Sequence, residues 1–254
     1  MYNFVIQKKI NNMRSTTETG HAKNLANLQD LTEIIVSYGN SYNPTKAKIK
    51  LAALTILQDQ AKANMAVVSN KSVAYNYATN ERETLFEPLR KLSTRLVSAF
   101  TSTEATPQMI KDAKTIHRKI QGTRATPKPK QVDPNTPVPA TISVAQLSFD
   151  QQIEHLNTFI EILKAEPSYA PNETDLKITT LYTLHTNLTV ANTNVSTNFA
   201  AIANARIARN KTFYHPQSGL VAVALAVKEY IKSVYGFASP EYQLIRKIQF
   251  KLVE

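Results

Sequence analysis

The feature of this sequence that most constrains its fold is a repeat at a spacing of about 127 residues. The stretch from Pro44 to Pro88 returns as Pro171 to Pro216 with the same apolar pattern. An internal repeat of this length predicts two similar helical units in one chain. The matching positions are Tyr42, Pro44, Ile49, Leu51, Leu54, Leu57, Val68 and Phe86 in the first copy, and Tyr169, Pro171, Leu176, Ile178, Leu181, Leu184, Val195 and Phe213 in the second.

Each copy opens with a segment in which apolar residues recur at spacings of three and four. This spacing is typical of an amphipathic helix with one buried face. The face consists of Leu25, Leu28, Leu31, Ile34 and Ile35 in the first copy, and of Ile153, Leu156, Phe159, Ile162 and Leu163 in the second.

The repeated stretch predicts one long helix in each copy. Its seam residues lie about 3.5 positions apart over about 35 residues, which predicts helices of roughly 50 Å in a left-handed bundle. We expect these helices to begin at Pro44 and Pro171 and to end before Pro88 and Pro216. The seams are Leu51, Leu54, Ala61, Met65, Val68, Ser72 and Tyr75, then Ile178, Leu181, Leu188, Ala191 or Asn192, Val195, Phe199 and Ile202.

Two shorter helices follow in each copy. Gly236 is expected to end the third helix of the second copy. The fourth helices begin where a capping residue precedes a proline, at Thr106-Pro107 and at Ser239-Pro240. The fold prediction is therefore all-α, with two tandem, internally duplicated four-helix-bundle units.

The predicted domains are an N-terminal arm at 1–20, a first helical unit at 21–121, a linker at 122–147 and a second helical unit at 148–254. The linker holds five of the twelve prolines. Such density favours an extended polyproline spacer. A proline-rich ligand for the aromatic groove of a partner is the less favoured interpretation.

Composition excludes several classes of function. The 254 residues are 43% apolar and include no cysteine, which rules out disulfides and thiolate metal sites. The longest apolar run, 220–227, is far shorter than the about 20 residues of a membrane-spanning helix. The N-terminus lacks the pattern of a cleaved signal, so we expect a cytoplasmic protein.

The net charge of +11 is the compositional feature that points to a partner. Its distribution is +2 over 1–20, +6 over 21–121, +2 over 122–147 and +1 over 148–254. A basic half favours nucleic acid, a ribosome surface or anionic lipid as a partner. An ordinary solvated basic surface is the alternative.

One basic group stands at the expected start of the first long helix. It consists of Lys46, Lys48 and Lys50, where the second copy has Glu173, Asp175 and Lys177. Acids complement the positive end of a helix and lysines oppose it. The lysines are therefore a candidate anion-binding or phosphate-binding corner, with two of them one turn apart beside free amide hydrogens. Drift after duplication is the simpler explanation.

A second basic group lies near the end of the second long helix, at Arg206, Arg209 and Lys211, ahead of Phe213 and Tyr214. Bases at a helix C-terminus complement its dipole, which explains them structurally. Arginines beside aromatic rings also suit a nucleic-acid backbone with stacked bases. The linker adds three further candidates, Arg124, Lys128 and Lys130.

Motifs for catalysis, cofactors or metals are absent from the sequence. The five histidines are scattered, and the one Glu-x-x-His, Glu18 to His21, lies in the expected N-terminal loop. The five glycines form no phosphate-cradling loop. We therefore predict no catalytic, cofactor or metal site and no enzyme.

The segment from Ala205 to Ile248 carries Ala-Arg-Ile-Ala-Arg-Asn, Val-Lys-Glu-Tyr-Ile-Lys-Ser-Val-Tyr-Gly and Ser-Pro-Glu-Tyr. In this it resembles a group of uncharacterised helical proteins of Bacteroidota. The resemblance covers about the last fifth of the chain and brings no known activity. It implies a bacterial, cytosolic origin.

The leading function prediction is a non-catalytic helical scaffold or protein-interaction protein whose long helices also pair between chains. The alternative is a nucleic-acid- or ribosome-associated protein that uses the basic first unit and the linker. An enzyme would require a deep polar pocket between the units.

Overall fold

The computed structural model describes residues 19–123 and 146–252. These residues form helices and loops without any strand, which confirms the all-α prediction. No helix among them is both long and apolar enough to span a membrane. The helices are α1 (His21–Val36), α2 (Leu51–Phe86), α3 (Leu89–Thr101), α4 (Pro107–Gln121), α5 (Phe149–Lys164), α6 (Ile178–Tyr214), α7 (Leu220–Tyr235) and α8 (Pro240–Arg246).

The two long helices, α2 and α6, have 36 and 37 residues, which corresponds to about 55 Å each. Both end before the next proline, as predicted. The expectation that Pro44 and Pro171 lie in their first turns is wrong. A short 3₁₀ turn precedes each long helix, at Ala47–Ile49 and at Thr174–Leu176, and the residue between turn and helix is extended.

One tyrosine holds each of these turns in place. The Tyr42 hydroxyl donates a hydrogen bond to the carbonyl oxygen of Ile49, and the Tyr169 hydroxyl donates to that of Leu176 at 2.9 Å. Both tyrosines are buried. Burial raises the pKa of Tyr169 to about 12, so its phenol keeps the proton that it donates. The same contact thus fixes the start of both long helices.

Replacing either buried tyrosine by phenylalanine should destabilise the protein. Tyr42→Phe and Tyr169→Phe each leave a buried carbonyl oxygen without its donor, and each should lower the free energy of unfolding by about 1–2 kcal/mol. Urea denaturation measures the change. Tyr77→Phe is the matched control, because Tyr77 is 70% exposed. Equal effects at all three positions would contradict a role of the hydrogen bond.

The shorter helices begin as their capping residues predict. Thr106 accepts a hydrogen bond from the amide of Met109 at 3.3 Å, and Ser239 accepts one from the amide of Tyr242 at 3.1 Å. Gly236 ends α7 with a φ of 86°, which confirms its predicted role. The α1 and α5 faces predicted from their spacing are buried or half-buried.

The fourth helices differ in length. α4 has 15 residues and α8 has only seven. After α8 the chain continues without helix, and asparagines of α1 bind its backbone. The Asn24 side chain donates to the Lys251 carbonyl oxygen at 2.7 Å and accepts from the Lys251 amide at 3.1 Å. Asn27 donates to the Gln249 carbonyl oxygen at 2.7 Å. Side-chain amides thus replace the missing helical hydrogen bonds.

Contacts divide the described residues into two compact units. The terminal unit contains residues 19–73 and 201–252, and the central unit contains residues 74–123 and 146–200. This division differs from the predicted domains 21–121 and 148–254, because α2 and α6 each contribute one part to each unit. The predicted linker, 122–147, lies mostly outside the described residues.

Each unit has a hydrophobic core built from both halves of the sequence. The core of the terminal unit joins Leu28 and Leu54 from the first half to Phe213 and Val227 from the second. The core of the central unit joins helices of both halves in the same way. Its largest buried members include Phe86, Leu96, Phe100, Ile120, Leu156, Phe159, Ile160, Leu181 and Leu188.

Inside each unit α2 and α6 run antiparallel. In the terminal unit the Asn64 side chain donates to the Thr212 hydroxyl at 2.8 Å. In the central unit the rings of Tyr75 and Phe199 lie 6.0 Å apart. The predicted seam residues are buried or half-buried with one exception. Phe199 is 57% exposed, which corrects its assignment to the buried seam.

Cutting the chain between Thr123 and Gln146 should not separate its halves. Each core needs helices from both sides of the cut, so the fragments should remain associated and helical under native conditions. A protease site inserted there, followed by gel filtration with and without urea, measures this. Two independently eluting, folded fragments without urea would show that the halves are separate domains.

Candidate anion-binding site

The first predicted basic group lies in the loop and 3₁₀ turn ahead of α2. Lys46, Lys48 and Lys50 are all exposed, and none forms an ion pair with a described residue. The Lys48 ammonium lies 3.5 Å from the carbonyl oxygen of Gln217. The prediction that Lys46 and Lys50 lie one turn apart within the helix is wrong, because α2 begins at Leu51.

The acidic counterpart in the second copy has a structural partner. Asp175 forms an ion pair with Arg95 of α3, in which one guanidinium nitrogen lies 3.2 Å from a carboxylate oxygen. Its hydrogen bonds with Arg95 lower the pKa of Asp175. The pair is half exposed, so its contribution to stability is small. No described residue forms such a pair with the lysine loop, and its lysines are exposed.

The second predicted basic group combines exposed and half-buried side chains. Arg206 and Lys211 are exposed on the last turns of α6, whereas Arg209 is half-buried. The Arg209 side chain donates to the Asn210 side-chain oxygen from Nε at 3.1 Å and from Nη2 at 2.9 Å. Burial lowers the pKa of Arg209, and the neighbouring Arg206 lowers it further. No described carboxylate pairs with Arg209.

Arg209 borders an open cavity of about 510 Å³ in the terminal unit. Three separate segments form this cavity: the start of α1, the middle of α2 and the last part of α6. Its walls combine hydroxyl, imidazole and guanidinium groups with apolar side chains, and none of the described lining residues is acidic. The lining residues are Thr19, Gly20, His21, Ala22, Met65, Val68, Ser69, Ser72, Val73 and Arg209.

His21 lines the cavity and contacts both Asn210 and Phe213. Its Nε2 lies 3.1 Å from the same Asn210 oxygen that Arg209 contacts, and its ring meets the Phe213 ring edge-on at 5.1 Å. Burial and the charge of Arg209 lower the pKa of His21, which keeps the imidazole neutral at pH 7. A neutral His21 donates its Nε2 proton to Asn210 in this network.

The sequence singled out Arg209 but not the cavity. His21, Met65 and Val68 lie far from Arg209 in the chain, and each reads locally as part of a loop or of a helix seam. Only the packing of α1 and α6 against α2 brings them together. The sequence shows that Arg209 is positively charged, but it shows neither that the side chain is half-buried nor that no described carboxylate pairs with it.

Positive charge is concentrated in one compact unit. The described residues of the terminal unit include fourteen Lys and Arg against five Asp and Glu, a net charge of +9. Those of the central unit include ten against eleven, a net charge of −1. Both described basic groups lie in the terminal unit. The linker candidates Arg124, Lys128 and Lys130 lie outside the described residues.

Among the described residues no three His, Asp or Glu side chains come together as metal ligands. No known family model matches this chain. Neither a curated protein nor a solved structure matches it either. Function is therefore inferred from the charges, contacts and cavity of the chain itself.

Proposed function

We propose that this chain is a non-catalytic binding protein whose terminal unit holds nucleic acid by its phosphate backbone. The observation that supports this most strongly is the net charge of +9 on the described residues of that unit, against −1 on the central unit. Phosphate contacts by Lys and Arg supply most of sequence-independent nucleic-acid affinity. The proposal develops the nucleic-acid alternative drawn from the sequence.

The two basic groups support the same proposal by their positions. The Lys48 contact with Gln217 places the lysine loop beside the segment that follows α6, the helix that carries Arg206 and Lys211. These cations are exposed and have no described acidic partner. Such solvated cations give up few internal interactions on binding, so neutralising phosphates costs the fold little.

Nucleic-acid binding should therefore depend on salt and on the lysine loop. The triple variant Lys46→Gln, Lys48→Gln, Lys50→Gln should weaken binding of a labelled duplex. The slope of log affinity against log salt should fall by about one for each phosphate that the variant no longer neutralises. Fluorescence anisotropy at about 50 to 200 mM salt covers the range in which such interactions are strong.

The matched control makes the same charge change in the other unit. Lys91, Lys111 and Lys114 are exposed lysines of the central unit, and their replacement by glutamine should change neither affinity nor slope. Equal reductions of affinity in both triple variants would indicate attraction by net charge alone. No binding of the native protein at about 50 mM salt would overturn the proposal.

A second candidate function, self-association as a helical scaffold, is supported by a different observation. In the central unit Tyr77 and Phe199 are 70% and 57% exposed on the two long helices. Val190 of the same unit is 52% exposed. Large exposed apolar groups on a rigid helical surface favour protein contacts, and the partner in this candidate function is a second copy of the chain.

If this candidate is correct, the native protein should be an oligomer at micromolar concentration. The double variant Tyr77→Ser, Phe199→Ser should then shift the mass measured by light scattering toward that of a monomer, because it removes two large apolar groups from the interface. Val36→Ser is the control, since Val36 is an exposed apolar residue of α1. A native monomer across a wide concentration range would exclude self-association.

We also propose that the chain arose by duplication of a four-helix segment. The supporting observations are the tyrosine contacts and the 3₁₀ turns, which recur at the same spacing as the sequence repeat. The order of helices after each turn is likewise the same. The bacterial, cytosolic origin implied by the resemblance to Bacteroidota proteins stays a prediction.

A further inference from the structure

We infer that the cavity of the terminal unit binds a small organic anion, a carboxylic acid with an apolar body, through Arg209. This binding is independent of nucleic-acid binding, which uses the exposed lysine loop together with the exposed Arg206 and Lys211.

The charge of Arg209 defines the anionic end of the ligand. Its guanidinium has five N–H donors, and the described contacts use Nε and Nη2 toward a single amide oxygen. Donors therefore remain at the edge of the cavity for a carboxylate, which a guanidinium binds with two parallel hydrogen bonds. Among the described residues, no acidic side chain lines the cavity to compete for them.

The Asn210 side chain holds Arg209 in position. One oxygen of this amide accepts from both Arg209 and His21, which fixes the guanidinium relative to the start of α1. An arginine that is ordered before binding loses less side-chain entropy when it binds an anion. Arg206, three residues earlier on the same helix, is exposed and does not line the cavity.

The apolar side chains that line the cavity define the apolar part of the ligand. Met65 and Val68 are half-buried there, and Val73 is 66% exposed. A volume of about 510 Å³ lies within the roughly 300–1,000 Å³ that is usual for small-molecule sites. An inorganic anion would leave these apolar side chains in water, whereas an apolar chain would cover them.

Isothermal titration calorimetry with three probes tests the anionic and the apolar part of the site separately. Decanoate has both groups, acetate has only the carboxylate and decanol only the apolar chain. The native full-length protein should bind decanoate at least about tenfold more tightly than either other probe, since each half of the ligand contributes separately. Equal binding of decanol, or no binding of decanoate up to its solubility limit, would overturn the inference.

Matched arginine variants identify the residue that binds the anion. Arg209→Gln should weaken decanoate binding about tenfold or more, and Arg206→Gln less than about twofold, because only Arg209 lines the cavity. Equal reductions of affinity in both variants would contradict a specific site. If Arg209→Gln does not fold, as judged by circular dichroism, Ser72→Leu replaces it. This substitution narrows the cavity and should abolish decanoate binding, and unchanged binding would contradict the inference.

Discussion

Both hydrophobic cores depend on the passage of α2 and α6 from one compact unit to the other. Leu54 and Ala61 of α2 belong to the terminal core, and Phe86 of the same helix belongs to the central core. α6 divides in the same way, with Leu181 and Leu188 in the central core and Phe213 in the terminal one. Neither half of the sequence can therefore bury its apolar faces alone, and stability is shared across the whole chain.

The sequence predicted the local structure well because local structure depends on local rules. The spacing of apolar residues predicts the buried helix faces. Thr106 and Ser239 are predictable as caps because the first amides of a helix have no partner within it. The spacing shows that a face is buried but not which helix covers it. A long helix can thus contribute residues to two cores without any change in its sequence pattern at the point where it passes from one unit to the other. The spacing places Phe199 in the buried seam for the same reason, although tertiary packing leaves it exposed.

The candidate site exists because each compact unit is built from both halves of the sequence. Counted along the sequence, most of the excess of positive charge lies in the first half, with +2 in the linker and +1 over 148–254. Counted by compact unit, it lies almost entirely in the terminal one among the described residues. The cavity is likewise composed of parts from both halves, which explains why no sequence motif marks it. Arg209 could be selected from the sequence, but its neighbours His21 and Met65 could not.

The two copies of the repeat differ most where their fourth helices end. α4 has 15 residues, whose backbone groups form hydrogen bonds within the helix. α8 ends after seven residues, and the segment that follows it has backbone carbonyls that need donors from elsewhere. Asn24 and Asn27 supply them, and the same positions 128 residues later hold Gln152 and His155. His155 is buried with no described partner for Nε2, and desolvation lowers its pKa, which keeps a charge out of the central core.

The two units therefore differ in how their charged side chains are paired. In the central unit Asp175 pairs with Arg95, and the described residues of that unit have a net charge of only −1. The terminal unit has Lys48 at the position that matches Asp175, and its described residues leave Arg209 without an acid. Acids nearly balance bases among the described residues of the central unit, whereas bases exceed acids by nine among those of the terminal unit. The concentration of bases in one unit is the physical reason to look for an anionic ligand there.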